Sequence, residues 1–563
     1  MTDPCVWPKD SIRVDPGSWL DIALAGRFGS AAWLEGLSLR RYRIGCSAIL
    51  LSIIMSAPAL GMAGVNDDND CIRLGAVTIA DNPVLDAIVG RELTAPFIGA
   101  CIDARLIREL VDSISGWFID EGLVTTRPYL LEQDISDGEI EIEVLVGRVE
   151  AVVDASTGAG NASISSAFLF NGSLLNLRKL ETALEAIERP QSVQASFEIG
   201  PGTEPGGSIV AISTTRTSPW SGQLGANART DVDPQLSFRV ALDNPFNIND
   251  TIEFRYNSGD VFQAYQSDRS RELEYSVQIG ASLLSLIHSD LRYKQRLQGI
   301  GGSFLAEGDS VTDELRISHL FGRGQTYRFR LGFGFELEDN SNSFEGEKID
   351  VSSYKTTKAE INLQHEWFAG WGQLLSRYAY QQGLDSYGAR DDDYFVAADG
   401  NGSEARLQFE KHVLATQAYV TLPDPAWYIG IALHLQYSDD ILYDRDRLLL
   451  GSESTVRGYT SALSGSKGWY ARSELVRRWQ ANDTSFDVKA LRKSIALSIG
   501  FDYGEIDCQF DNRDVCGEIY SVAAGLTIAD DNFTGLLSWG HPLRELDDAG
   551  EEDVFLLDLR WGL

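Results

Sequence analysis

Basic residues are scarce in this chain. It carries 48 Lys+Arg against 82 Asp+Glu, a formal net charge of −34, and no compensating basic block occurs anywhere. Such a surface repels phosphate, which argues against a nucleic-acid binder. Long apolar runs are equally scarce: a multi-span helical membrane protein needs several stretches of about 20 apolar residues, and a single one is present, from Ile44 to Asn66. Catalytic motifs are missing as well. The 6 His, at 288, 319, 365, 412, 434 and 541, form no H-E-x-x-H or i, i+4 pair, and neither a Walker loop nor a G-x-S-x-G elbow occurs. No enzyme, cofactor or metal site is therefore expected. Gly465-Ser466-Lys467-Gly468 reads as a turn, and Asp391-Asp392-Asp393 with Asp399-Gly400 as a solvated acidic loop rather than a calcium site. What the chain does hold is apolar and aromatic surface, 44% hydrophobic residues with 12 Trp, 20 Tyr and 24 Phe, enough to exclude disorder throughout. Its 563 residues suggest several domains at about 150 residues each, fewer if one is a large barrel.

The apolar run follows Arg40, Arg41 and Arg43 and ends in Ala57-Pro58-Ala59-Leu60-Gly61-Met62-Ala63. A basic start, an apolar middle and a small-residue exit are the parts of a secretory signal, with cleavage expected near Ala63. An uncleaved membrane anchor is the alternative. Residues 1–39 precede the signal and lack clear periodicity, as a start assigned too far upstream would produce. The cysteines agree with export: Cys5 and Cys46 fall in the discarded region, leaving Cys71 with Cys101 and Cys508 with Cys516, two local pairs suited to an oxidising compartment. Neither pair has the C-x₂₋₄-C spacing of a zinc site.

Two kinds of periodicity follow. Arg73 to Ile79 reads as a strand, and Asp103 to Asp120 as an amphipathic helix with Leu106, Ile107, Leu110, Ile114, Trp117 and Phe118 on one face, ended by Gly122. Tyr129 to Ile135 and Glu139 to Val146 read as strands joined at Ser136-Asp137-Gly138. The order strand, helix, helix, strand, strand then repeats approximately: Val149 to Val153, a helix through Leu177, Leu180, Leu184 and Ile187, then Ser192 to Ile199 and Ser208 to Thr214 around Gly200-Pro201-Gly202. Beyond Pro219 hardly any segment reads as a helix. Leu331 to Phe335, Ala405 to Phe409 and Ile431 to Leu435 each put apolar residues on one face only. Outer-membrane strands alternate in this way over segments of about ten residues, and about 22 residues per strand with its turn gives about 16 strands. A soluble antiparallel protein would alternate similarly, but the terminal strand discriminates. Leu563, Trp561, Leu559, Leu557 and Phe555 alternate with Gly562, Arg560 and Asp558, a pattern that resembles the signal read by the barrel assembly machinery of the outer membrane, with Leu in place of the usual terminal Phe.

Several stretches carry a family resemblance. Gly122-Leu123-Val124-Thr125-Thr126-Arg127, Gln133 to Gly138 and Gly147-Arg148-Val149-Glu150 resemble the closing strands of a first polypeptide-transport-associated (POTRA) domain. Asp243-Asn244-Pro245-Phe246 with Asn249-Asp250 resembles a first barrel hairpin. Gln436-Tyr437-Ser438, Val456-Arg457-Gly458-Tyr459 and Gly468 to Leu475 resemble the region around a sixth extracellular loop, and Phe501-Asp502-Tyr503-Gly504 the F-D-x-G strand motif facing it. The exported chain thus resembles the outer-membrane transporters of two-partner secretion, the TpsB class of haemolysin secretion/activation proteins, related to the barrel assembly protein BamA. The Y-S-x-P-x-G pattern of the family appears as Tyr275-Ser276-Val277-Gln278-Ile279-Gly280, with Gln for Pro, and a cleaved chain leaves no room for the N-terminal plug helix of some members.

The resemblance implies a transmembrane β-barrel of about 16 antiparallel strands preceded by two periplasmic α+β POTRA domains of order βααββ. The expected division is 1–63 for the N-terminal extension and signal, 64–150 and 151–216 for the POTRA domains, and 217–563 for the barrel. It implies a Gram-negative outer-membrane location and export of an unfolded β-helical exoprotein of adhesin, haemolysin or contact-dependent toxin type; a BamA-like insertase and a passive porin are the alternatives. Outer-membrane lipid and the assembly machinery are the other expected partners. At the site, Val456, Arg457, Gly458 and Tyr459 would form a loop tip folded into a wet lumen, and Phe501, Asp502 and Gly504 the wall motif. A loop arginine needs a counter-charge, so Arg457 is paired with Asp502.

Overall fold

The computed structural model describes residues 71–80, 82–155, 171–230, 232–259, 267–299, 302–392, 405–460, 462–480, 494–507, 515–544 and 553–563. The expected signal and its cleavage site therefore lie outside the described residues, as does Cys508; Cys516 is disulfide-bonded.

The first unit consists of β1 (Ala76–Ile79), α1 (Ala87–Thr94), α2 (Ala104–Asp120), β2 (Arg127–Tyr129) and β3 (Glu139–Leu145). Its sheet order is β1-β3-β2, with β1 parallel to β3. Helix α2 starts where the Asp103 carboxylate accepts the Arg105 and Leu106 amides. It ends before Gly122, whose φ of 82° is the left-handed turn a C-cap glycine supplies. Leu106, Leu110, Ile114 and Phe118 bury against Ile140 and Ile142 of β3; each contributes about 1.5–3 kcal/mol by leaving water. One strand falls elsewhere than expected. The segment from Tyr129 to Ile135 is not a strand, because β2 ends at Tyr129 and the Gln133 amide takes over the pairing. Its Nε2 donates to the Glu141 carbonyl at 2.8 Å and its Oε1 accepts the Glu141 amide at 2.7 Å.

Cys71 and Cys101 form a disulfide across a sequence separation of 30. Closing a loop of that length restricts the unfolded chain by about 3–4 kcal/mol. Cys101→Ser should therefore lower the urea midpoint of the first unit markedly, and an unchanged midpoint would show the bridge to be inert.

The second unit consists of β4 (Arg148–Asp154), α3 (Leu177–Glu188), β5 (Val193–Pro201) and β6 (Gly207–Arg216), in sheet order β4-β6-β5. Residues 156–170, between β4 and α3, lie outside the described residues. Two boundaries are corrected here. The division at 150/151 cuts through β4, so Arg148, Val149 and Glu150 belong to the second sheet. The turn expected at Gly200-Pro201-Gly202 lies at 202–206, with Gly206 at φ 77°. Glu150 fixes it there, its carboxylate accepting the Thr203 hydroxyl at 2.7 Å and the Thr203 amide at 2.8 Å. The Thr203 hydroxyl first, and then the Glu204 amide at 3.2 Å, hold the carboxyl below its usual range. The two units meet tightly: Leu177 donates its amide to Gly122 at 2.7 Å, and the Gly147 amide to the buried Thr126 hydroxyl at 3.1 Å.

The rest of the chain closes on itself. Its strands are β7 (Trp220–Arg229), β8 (Val232–Asp243), β9 (Asp250–Ser258), β10 (Ser267–Ile279), β11 (Ser282–Gly299), β12 (Gly302–Arg323), β13 (Tyr327–Phe344) and β14 (Lys355–Ala369). They continue as β15 (Gly372–Leu384), β16 (Glu410–Thr421), β17 (Trp427–Ser438), β18 (Gly468–Gln480), β19 (Ser494–Ile506), β20 (Gly517–Ala529), β21 (Phe533–Pro542) and β22 (Val554–Gly562). Neighbours pair antiparallel and β22 pairs with β7, so these sixteen strands form a closed barrel. No helix among the described residues is long and apolar enough to cross a membrane. The crossing surface is the outer wall, where Leu331, Phe333, Ile361, Ile431, Ile499, Leu557 and Trp561 stand exposed at alternate positions. Aromatic residues border that band at both ends, including Trp220, Phe321, Trp367, Trp427 and Trp561 near the N-terminal units and Tyr437, Trp469, Tyr503, Tyr520 and Trp539 at the far end. Ala405 to Phe409 is not a wall strand as its alternation suggests. It belongs to a loop, with Leu407 and Phe409 buried and Ala405–Arg406 bridging Ile441–Leu442.

The second unit is bolted to the near rim. Glu185 on α3 takes Arg323 at 2.7 and 2.9 Å and Arg328 at 2.6 Å, while Glu181 takes Arg323 at 3.2 Å. Asp243 accepts the Ser192 amide at 2.8 Å, Asn249 donates to the Ala186 carbonyl, and Arg189 donates to the Ser276 hydroxyl at 2.6 Å. The hairpin motif Asp243 to Asp250 and the Tyr275-Ser276 motif thus form the joint between arm and barrel. Asn244, Asn247 and Asn249 all have positive φ, a backbone that short polar side chains tolerate.

Candidate functional site

The loop between β17 and β18, residues 439–467, folds back into the barrel. Leu448–Leu450 pairs with Leu463–Gly465, and the tip between them carries Val456, Arg457, Gly458 and Tyr459. An apolar underside holds it, since Leu448, Leu450, Val456, Tyr459, Ala462 and Leu463 pack on Ile506 of β19 and Ile519 of β20. The far end of the loop is tied to the next one, Ser464 and Val515 exchanging backbone bonds at 3.0 and 3.1 Å.

Arg457 meets Asp502 as a fork. Nε and Nη2 of the guanidinium reach Asp502 Oδ2 and Oδ1 at 2.7 and 2.8 Å, and the Arg457 backbone amide adds a third bond at 3.2 Å. The surroundings are not wet, as a lumen-facing pair would suggest: Asp502 is 0% and Arg457 3% exposed. The loop itself is the cover. Two further residues belong to the cluster. Glu474 on β18 pairs with Arg457 Nη1, and Arg472 on the same strand lies 3.6 Å from Glu474 and 3.9 Å from Asp502. Arg472 also donates to the Glu453 carbonyl at 2.6 Å, and the Glu453 side chain accepts Ser538 at 3.0 Å. Arg472 and Glu474 could be read as charges at alternate positions of a strand whose other face is mostly apolar, with Trp469, Ala471, Leu475 and Trp479, which is the mark of a lumenal row.

The rest of the expected motif divides by face. Phe501 is 47% exposed on the outer wall, opposite to its neighbour Asp502. Gly504 lies under the loop, where an added Cβ would stand 2.8 Å from Leu450 Cδ1 and 2.9 Å from Val456 Cγ2. Gly458 has φ 82° and abuts the β21 backbone; the Tyr459 hydroxyl lies between the Tyr520 and Arg544 carbonyls at 3.0 and 2.9 Å and accepts the Arg544 amide at 3.1 Å.

A second attachment had no signal in the sequence. Asp446, in a short 3₁₀ turn on the way to the tip, accepts Lys411 Nζ at its carbonyl at 2.8 Å, with Gln436 beside it at 3.1 Å. Lys358 Nζ stands 3.6 Å from its carboxylate and 2.8 Å from Glu336. The loop is therefore held from two sides of the barrel, by β14 and β16 through Asp446 and by β18, β19 and β21 through its tip. Among the described residues no group of His, Cys, Asp and Glu could hold a metal ion.

Comparisons with known proteins agree with this architecture. Residues 206–528 match the family model of haemolysin secretion/activation proteins ShlB/FhaC/HecB, and residues 72–147 that of the ShlB-type POTRA domain. The chain is 27% identical over 478 residues to the outer membrane transporter CdiB of Dickeya dadantii, covering 84% of this chain and 83% of the relative. To the haemolysin transporter protein ShlB of Serratia marcescens it is 25% identical over 481 residues, covering 84% and 80%. Among solved structures, CdiB from Escherichia coli superposes with a TM-score of 0.78 at 22% identity, over 91% of this chain and 93% of that one. With more than half its length matched by that model, the chain belongs to the haemolysin secretion/activation protein family, as an outer-membrane β-barrel with a POTRA arm.

Proposed function

We propose that this protein carries an unfolded exoprotein across the outer membrane in two-partner secretion, the POTRA arm capturing its partner in the periplasm and the barrel forming the passage. The observation that carries the reading is a long extracellular loop seated inside the barrel by a buried Arg457–Asp502 fork, in the same chain as an arm bolted to the periplasmic rim. A passive porin has no such arm. The POTRA sheets leave strand edges at β1 and β2 and at β4 and β5, to which an extended segment can add by backbone bonds without demanding one sequence. No nucleotide supplies energy at that membrane, so directional movement draws on folding of the β-helical exoprotein outside. The terminal strand, with Phe555, Leu557 and Trp561 on the lipid side, would be read by the assembly machinery. We divide the chain into an export signal ending near Ala63, two POTRA domains that meet at Arg148, and a barrel from about Pro219.

The test is direct. Co-expressed with a β-helical exoprotein taken from a neighbouring reading frame, the transporter should release that protein to the medium, and residues 71–216 should bind its unfolded N-terminal domain by titration calorimetry. Retention of the exoprotein in the periplasm by a correctly inserted barrel would overturn the proposal.

A further inference from the structure

At the periplasmic end of the outer wall, β18 presents a cation to lipid. Alternation sets the direction of Arg477: it lies between Leu475 and Trp479 on its own strand and stands across from Trp427 on β17 and from Leu497 on β19. The guanidinium carbon is 5.1 Å from the Trp427 ring centroid and 5.0 Å from that of Trp479. Its Nε is buried and makes no hydrogen bond, and among the described residues no carboxylate is within ion-pair distance. Two rings hold the plane of the guanidinium by cation–π attraction, but neither accepts its N–H groups in line. A charge on the lipid face is costly unless an anion or water meets it. Tryptophan on such a wall marks the level of the headgroups, and the POTRA arm marks this as the periplasmic leaflet.

We propose that Arg477, Trp427 and Trp479 clamp the phosphodiester of a glycerophospholipid in the periplasmic leaflet. The guanidinium fork matches two phosphate oxygens, a geometry that lysine does not reproduce. The indole rings cover the glycerol shoulder, and Ile429 and Ile499 border the acyl chains. The site would fix the height of β17, β18 and β19 in the membrane, the strands that bear Glu474 and Asp502. This inference rests on the outer-membrane placement of the barrel.

The experiment titrates the full-length transporter in mild detergent with dioleoyl phosphatidylglycerol and counts retained lipid by native mass spectrometry. Arg477→Gln should weaken retention about tenfold, the loss of one charge-assisted contact, Arg477→Lys should restore part of it, and Trp479→Leu should weaken it without touching the charge. Dioleoylglycerol, which lacks the phosphate, should not be retained. Heat-modifiable mobility on gels confirms that each variant is a closed barrel. Equal retention by the wild type and by both Arg477→Gln and Trp479→Leu would overturn the clamp while leaving the membrane placement standing. Displacement of the lipid by inorganic phosphate at the same concentration would overturn the lipid assignment.

Discussion

Asp502→Ala should nearly abolish secretion while the barrel still assembles. The side chain is fully buried, and removing it leaves Arg457 and Arg472 facing each other with Glu474 as their remaining shared carboxylate. Breaking a buried, bonded ion pair from one side costs about 3–5 kcal/mol, more than the 1–3 kcal/mol appropriate to a solvated charged hydrogen bond. Arg457→Ala should do less harm. Arg472 already lies within 4 Å of both Asp502 and Glu474, so the two carboxylates keep a cation. The pairing read from the motifs alone would make the two single changes equal; the four-residue cluster makes them unequal and makes them couple to Arg472. Secretion and channel conductance of both variants, at matched barrel levels, decide the matter. Equal, wild-type secretion by both would show that the cluster does not position the loop.

Gly540→Val should give a comparable loss without changing any charge. Gly540 lies on β21 directly under the loop tip, where an added Cβ would stand 2.5 Å from the Gly458 amide nitrogen and 3.0 Å from Arg457 carbonyl carbon. Both obstacles are backbone, so the tip must lift. Overpacking of this kind costs about 1–3 kcal/mol, which lowers the population of the seated loop by about 5- to 150-fold. Gly370→Ala, in a turn where an added Cβ meets nothing within 4 Å, is the matched control and should secrete normally. If Gly540→Val secretes as well as that control, contact between tip and wall is not needed for transport.

The barrel was legible because its physics is repetitive. Lipid on one side and a polar interior on the other force alternation at every strand, and Leu557, Leu559 and Trp561 show it plainly. Ala405 to Phe409 carries the same pattern for another reason, burial of Leu407 and Phe409 inside a loop cluster, and periodicity cannot tell those apart. The Arg457–Asp502 geometry was reachable through two motifs whose charges need each other. The dryness of the pair was not, since it depends on how the loop covers its own contact. Asp446 was invisible for a plainer reason: its partners Lys358 and Lys411 come from strands far away in sequence, and nothing local marks an aspartate that receives a lysine on its carbonyl.

The joint at the periplasmic rim makes the mouth of the barrel lopsided. Every bolt described, from Asp243 and Asn249 through Ser276 to Arg323 and Arg328, belongs to the turns that serve β8 to β13. A segment handed over by the arm therefore approaches from the side of six of the sixteen strands and faces the remaining arc, from β14 through β22 to β7. That is the arc whose inner wall grips the loop tip. Delivery and obstruction thus lie on facing arcs, with the Asp446 attachment on β14 and β16 nearer the arm than the tip contacts on β18, β19 and β21.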